Sequence, residues 1–401
     1  MKKLFDKYYI LFFWLGLVLL LFPNIIRFLL IMPFSGTEKD YSSWAYFLSR
    51  WNTEIIVLAV LFFIFPFLKI FRNGKWIKKI FLILLLLICI FIQYVTNIKF
   101  SPDKMFKEPE VLLFDKFSNS DFGVVIIGIK NGNYSKAYPL KYINYHHKVQ
   151  DTIGNIPVLV TYCSLCRSGR VFSPVVDGIH LHFKVVGLNH ENATFEDLET
   201  HSWWHQETGE AFQGPLRGKQ MEEIFSEQAS LGSWIEKYPN ALIMQPEEKS
   251  KKMYERMGRG LSFTGLVEEQ SESDKWSAYQ VIIGVNSTTG YKAYLWKDVL
   301  NNKLINDELK GVSILVAVEN DSLTFHCWSR EIDGKKLKFS KDSSDLSLMK
   351  DNETLSVWNM KGVCVEGKMK GATLNSMQCY QEYWQAWKTF HPGTAQWNKI
   401  K

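Results

Sequence analysis

The segment of this chain best suited to chemistry is Tyr162-Cys163-Ser164-Leu165-Cys166-Arg167-Ser168-Gly169, a Cys-x-x-Cys pair. Two cysteines at this spacing can present both thiolates to one metal ion, with Zn–S bonds of about 2.3 Å. They can work as a redox dithiol where a helix N-terminus lowers the thiolate pKa, or close as a tight disulfide. The pair follows the apolar run Val158 to Thr161 and precedes Arg-Ser-Gly-Arg-Val-Phe, which has strand character. The helix of a thioredoxin-like site is therefore missing. Arg167, standing where c-type haem attachment needs His, gives that chemistry no support.

An internal comparison singles out partners for the two thiols. Val125-Ile126-Ile127-Gly128 matches Val281-Ile282-Ile283-Gly284 at an offset of 156 residues, as do Lys136-Ala137-Tyr138 and Lys292-Ala293-Tyr294. The offset pairs Asp177-Gly178 with Asp333-Gly334, then drifts to 154 (Trp204 with Trp358) and 153 (Trp234 with Trp387). An ordered, slowly drifting match predicts two related modules, 119–246 and 275–398, joined by a charged linker, 247–274. Chemistry present in one copy and absent from the other is then a candidate for function. Cys163 and Cys166 become Glu319 and Ser322; His146, His201 and His205 become Asn302, Leu355 and Asn359. Seven of the nine histidines fall in the first module, so the soft and imidazole ligands are lost together.

The leading expectation is a transition-metal site of Cys163, Cys166 and His146, with His201, His205 and Gln206 as weaker candidates. Thiolate with imidazole suits zinc or copper. Two alternatives stay open: a non-catalytic binding or assembly module with a Cys163–Cys166 disulfide, and a dithiol oxidoreductase. Cys327, Cys364 and Cys379 are isolated in sequence and read as small buried residues. His180 and His182 alternate with apolar residues and read as solvated strand positions. No phosphate loop or acid–base pair at recognisable spacing points to a kinase or hydrolase.

The elements that must hold this site read as mostly β. Val124 to Ile129 and Tyr134 to Leu140 flank an Asn-Gly turn, and Arg170 to Val176 and Ile179 to Val186 flank an Asp-Gly turn. The second module repeats both hairpins. Short helices are expected over Ser233 to Tyr238 and Tyr380 to Phe390.

Ahead of these modules, residues 1–99 carry three apolar runs, 8–32, 53–71 and 80–98, each near the roughly 20 residues that a membrane span needs. Lys2, Lys3 and Lys7 precede the first run, and Lys69, Arg72, Lys75, Lys78 and Lys79 lie around the second loop, while the first loop is nearly balanced. By the positive-inside rule the N-terminus is cytoplasmic and everything after residue 99 is extracytoplasmic. The net charge of +6 is concentrated beside the spans, so the lipid bilayer, and no nucleic acid, is the expected partner.

Several segments together resemble the domain of unknown function 3179 family: Tyr138-Pro139-Leu140, Asn144-Tyr145-His146, Pro157 through Cys166, Thr200-His201-Ser202-Trp203-Trp204-His205-Gln206, and Gly214-Pro215-Leu216-Arg217-Gly218. That family commonly has proline between the cysteines and glycine after them, where this chain has Ser164 and Arg167. The resemblance implies membrane attachment or export and a role for Cys163, Cys166, His146 and Gln206, but no particular activity. The expected fold class is thus N-terminal transmembrane helices followed by a β-rich α+β extracytoplasmic region of two tandem related modules.

Overall fold

The structure, a computed structural model, describes residues 2–32, 40–116, 122–258, 276–342, 345 and 347–398. Four helices come first: α1 (Lys2–Ile31), α2 (Ser42–Arg50), α3 (Asn52–Asn73) and α4 (Trp76–Tyr94), the last continuing as a π-helical turn, Val95–Lys99. Then follow β1 (Val125–Asn131), β2 (Tyr134–Pro139), α5 (Leu140–His146), β3 (Lys148–Ile153), β4 (Ile156–Cys163) and β5 (Ser168–Phe172). Next come β6 (Phe183–Asn189), β7 (Asn192–Asp197), β8 (Trp203–His205), β9 (Ala211–Gln213), β10 (Glu227–Ser230), α6 (Leu231–Lys237), β11 (Leu242–Met244) and α7 (Lys251–Gly258). The second half runs β12 (Val281–Ser287), β13 (Gly290–Leu295), α8 (Trp296–Asn302), β14 (Leu304–Leu309), β15 (Val312–Val318) and β16 (Phe325–Ser329). It ends with β17 (Phe339–Lys341), β18 (Leu348–Asp351), β19 (Val357–Asn359), β20 (Cys364–Glu366), β21 (Cys379–Tyr383), α9 (Trp384–Phe390) and β22 (Ala395–Gln396).

The chain divides into two compact units, and the first joins residues 1–107 to 182–205 and 210–219. Three of its helices are long and apolar enough to cross a membrane: Lys7–Ile31, Asn52–Asn73 and Trp76–Lys99. Phe13, Leu17, Leu20, Ala59, Phe63, Leu82 and Cys89 pack between them, while Leu11, Trp14, Phe65, Phe81 and Phe91 are exposed on the outside, as lipid contact requires. Gly16 makes the close approach possible: a Cβ there would stand 2.6 Å from the backbone nitrogen of Phe63. At one end a polar layer ties the three helices, with Arg27 Nη2 donating to Asn97 Oδ1 at 2.7 Å and Asn97 Nδ2 donating to Asn24 Oδ1 at 3.1 Å. In the same unit the sheet β9-β8-β7-β6 rests on α2, where Gln213 Nε2 donates to Ser42 and Ser43 and Trp203 meets Tyr46 edge-on.

The second unit holds 108–181, 206–209 and 220–401. Its first sheet has the order (Phe114–Asp115)-β11-β2-β1-β10, and a later one has the order β22-β13-β12-β21. Sheets β3-β4-β5 and β14-β15-β16 are likewise built from consecutive antiparallel strands. Gly128 on β1 admits the indole of Trp234, and Gly284 on β12 admits that of Trp387, since a Cβ would lie 2.5 Å and 2.4 Å from the rings. Asp177-Gly178 and Asp333-Gly334 both sit at positive φ, as Asp-Gly hairpin turns demand.

Some expected elements are shifted. The strand read to Leu140 ends at Pro139, because Leu140, Ile143 and Tyr145 bury themselves as the seven-residue helix α5, too short to announce itself by periodicity. The strand Arg170 to Val176 stops at Phe172: Pro174 has no N–H for a ladder, and only Val175–Val176 pairs onward with Ile179–His180. Of the helix expected over Tyr380 to Phe390, Tyr380–Tyr383 is strand, because β21 pairs with β12. The linker holds a short 3-10 turn, Glu248–Ser250, and then α7, and its remainder to 274 lies outside the described residues.

Gly128→Ala and Gly284→Ala should each lower stability by about 1–3 kcal/mol, since the methyl meets a buried indole with no free side. A urea midpoint equal to that of the parent protein would show that the indoles can move aside. Burial lowers the pKa of His391, stacked on Trp387, to about 4. The folded state thus holds it neutral while the unfolded chain takes up its proton, so stability is lost as pH falls from about 6.5 towards 4. His391→Phe should flatten urea midpoints over that window by up to about 3 kcal/mol, and an unchanged profile would assign the loss to other groups.

Candidate functional site

The CxxC turn closes the end of the sheet β3-β4-β5, whose two faces differ in kind. Val149, Val160, Tyr162 and Val171 face an apolar cluster with Tyr142, Tyr145 and Tyr254. Cross-strand register puts Lys148 opposite Thr161, Thr161 opposite Arg170, and Cys163 opposite Ser168, all on the other face. Every one of these polar residues is buried.

Cys163 is the last residue of β4 and Cys166 lies one tight turn on, its Sγ 3.7 Å from the Cys163 carbonyl. Both cysteines are buried. Burial, reinforced by hydrogen bonding to Cys163, pushes the Cys166 thiol well above its usual pKa, so Cys166 is held protonated. A chain of hydrogen bonds leads away from it: Cys166 Sγ lies 3.0 Å from Ser168 Oγ, which donates to Gln206 Oε1 at 2.7 Å. Gln206 Nε2 donates to Thr161 Oγ1 at 2.9 Å, and Thr161 Oγ1 donates to the Arg170 carbonyl at 3.0 Å.

Arg167 takes the left-handed backbone, φ +59, at the place where the resembled family has glycine. That conformation costs a non-glycine residue roughly 1–2 kcal/mol. It is held by two bonds from its guanidinium to Gln381 Oε1, at 3.2 and 2.9 Å.

Arg170 lies three residues further on. Its guanidinium donates to the Glu207 carbonyl at 3.1 Å and to Glu382 Oε1 at 2.7 Å, pairs with the Glu207 carboxylate, and stacks 3.4 Å from the Tyr380 ring centre. Burial alone would lower its pKa, and the charges of Glu207 and Glu382 more than reverse this. Burial and then the neighbouring Glu207 raise the Glu382 carboxyl well above its usual range, against the pull of Arg170. Two buried carboxyls thus compete for one guanidinium. On the same face the buried Lys148 pairs with Glu108; burial lowers its pKa towards about 7, while a neighbouring carboxylate favours its charged form.

Of the residues expected to form a site, Cys163, Cys166 and Gln206 come together. His146 ends α5, and its Nε2 lies 2.7 Å from Tyr254 Oη, within the apolar side of the sheet. His201 and His205 belong to the first unit, where His201 is beside Glu196 and His205 stacks on Phe212. Among the described residues no group of three or more His, Cys, Asp or Glu is placed to hold a metal ion.

The residues that sequence reasoning passed over are Lys148, Ser168, Arg170, Glu207, Gln381 and Glu382. A signal was present in the comparison of positions at the sequence offset. At the matched offsets Lys148, Thr161 and Gln206 become Leu304, Ala317 and Met360, which pack in or against one apolar cluster. Leu304 and Ala317 keep the cross-strand pairing of Lys148 and Thr161. Three positions on one face have therefore changed from polar to apolar together.

Arg170→Met should cost about 3–5 kcal/mol in urea unfolding, because it strands buried carboxyls without their cation. Adding Glu207→Gln and Glu382→Gln should recover part of that loss. A single-variant loss below about 1 kcal/mol would mean that both carboxyls are already neutral.

No curated protein and no solved structure matches this chain. The family described as a protein of unknown function (DUF3179) matches residues 113–394, and the chain belongs to that family.

Proposed function

We propose that this is a membrane-anchored extracytoplasmic protein of two duplicated modules, of which only the first carries the CxxC site. That site is the Cys163/Cys166 pair acting as a buried, redox-responsive dithiol in a binding or assembly module. The observation that carries the reading is the polar face of β3-β4-β5, where Cys166, one turn from Cys163, is joined through Ser168 to Gln206. The matched face of the second module is filled with Leu304, Ala317 and Met360. Closing the pair would transfer two electrons and two protons to a disulfide oxidant and take Cys166 out of its contact with Ser168. The burial of both thiols favours a small oxidant over a docking protein, hence a responsive site over a general exchange enzyme.

The duplication is supported by repeated detail. Asp197 accepts hydrogen bonds from Thr200, Ser202 and the Trp204 indole, and Asp351 from Thr354, Ser356 and the Trp358 indole. His147 and Lys303, at matched positions, both close their helices with left-handed backbones, φ +58 and +60. Extracytoplasmic placement rests on the lysine-rich second loop and on the seat of β6-β9 beside α2, which follows the first span.

Zinc or copper is the competing occupant of the same thiols. It would need a third donor, and His146 is engaged by Tyr254. Elemental analysis and thiol counting on the full chain, purified in detergent without chelators, separate the two. The dithiol reading expects no stoichiometric zinc or copper, and a Cys163–Cys166 bond that forms with oxidised glutathione and opens with reductant. One metal ion per chain, lost in Cys163→Ser, overturns it in favour of the metal site; thiols inert to oxidised glutathione overturn it as well.

A further inference from the structure

The second half contains two cysteines that sequence reading treated as unrelated. Cys327 is buried in β16, and its carbonyl accepts the Met377 N–H at 2.8 Å. Trp328 and Ser376 form an antiparallel bridge, and Ser329 N–H donates to the Asn375 carbonyl at 2.8 Å. Residues 375–377 therefore run along β16 as an added strand. Two residues later Cys379 opens β21, so strand alternation returns its side chain to the side of Met377 and Cys327. Cys379 packs against the apolar cluster that contains Cys327, and both residues line one cavity of about 20 Å³. In the first half the matched positions are Val171 and Ser226, so this pair belongs to the second half alone.

We infer that Cys327 and Cys379 form a disulfide that staples β16 to the start of β21, the strand that delivers Gln381 and Glu382 to the CxxC turn. Cys379 is partly exposed and is the entry thiol. Its thiolate attacks one sulfur of a disulfide oxidant and releases the first thiol; the Cys327 thiolate then displaces the second. Two electrons and two protons pass to the oxidant, which leaves as two thiols, and one S–S bond forms in the protein. The bond closes a long loop, the case in which a cross-link restricts the unfolded chain most. The inference does not depend on the redox behaviour of Cys163 and Cys166.

The test uses the full chain in detergent, incubated with oxidised glutathione, alkylated under denaturing conditions, digested and mapped by mass spectrometry. The expected result is a cross-linked peptide joining Cys327 to Cys379, formed equally in the parent protein and in the Cys163→Ser/Cys166→Ser variant. It should be accompanied by a rise in Tm of roughly 5–10 °C over the reduced protein, absent in Cys379→Ser. Recovery of both cysteines alkylated, a bond from Cys379 to any other cysteine, or a linked peptide without the rise in Tm would overturn the inference. Cys163 and Cys166 lie in other peptides of the same map, so failure at one pair is read apart from failure at the other.

Discussion

A guanidinium without water must be neutralised where it stands, and Arg170 imposes that condition on the second unit. The effective penalty for burying such an ion is several kcal/mol, so its partners have to be held firmly. The segment 206–209 brings Glu207, β21 brings Glu382, and Tyr380 covers the flat face of the cation. Residues more than 200 positions apart in sequence are thereby fixed around one side chain. The CxxC turn is the nearest neighbour along the chain to benefit, since Arg167 and Arg170 are both anchored by β21.

The two halves of the unit serve each other in this way. As β21 of the second half supplies the site of the first, β10 of the first supplies Glu227 to His326, which also meets Glu319 at the position matched to Cys163. Ser230 N–H donates to Thr324, and Tyr383 N–H to the Cys166 carbonyl. Between them Gln228 and Gln381, at matched positions, touch each other. Each half thus supplies residues to the polar face of the other.

The three helices apolar enough to cross a membrane obey a different constraint. In lipid, packing and internal hydrogen bonds must replace the hydrophobic drive. Gly16 lets the α1 backbone approach α3, and Asn24, Arg27 and Asn97 satisfy one another at one end of the bundle. The sheet β6-β9 is seated on α2 beyond the end of α1 by Gln213 and Trp203.

Features governed by neighbours along the chain were legible in the sequence. The three apolar runs needed only length and composition; the Asp-Gly turns needed only the tolerance of positive φ; and the cysteine turn followed from its spacing and flanking strand. The short helix α5 was hidden because its burial, and not its periodicity, stabilises it. What joined the two thiols to Gln206 and denied them His146 was decided by which face of β4 each neighbour occupies, a choice made through contacts with Tyr254 and Ser168. The clamp on Arg170 and the approach of Cys327 to Cys379 likewise exist only once distant strands have paired. Sequence position records local stereochemistry, whereas the neutralisation of a buried charge is a property of the space around it, and only the folded chain defines that space.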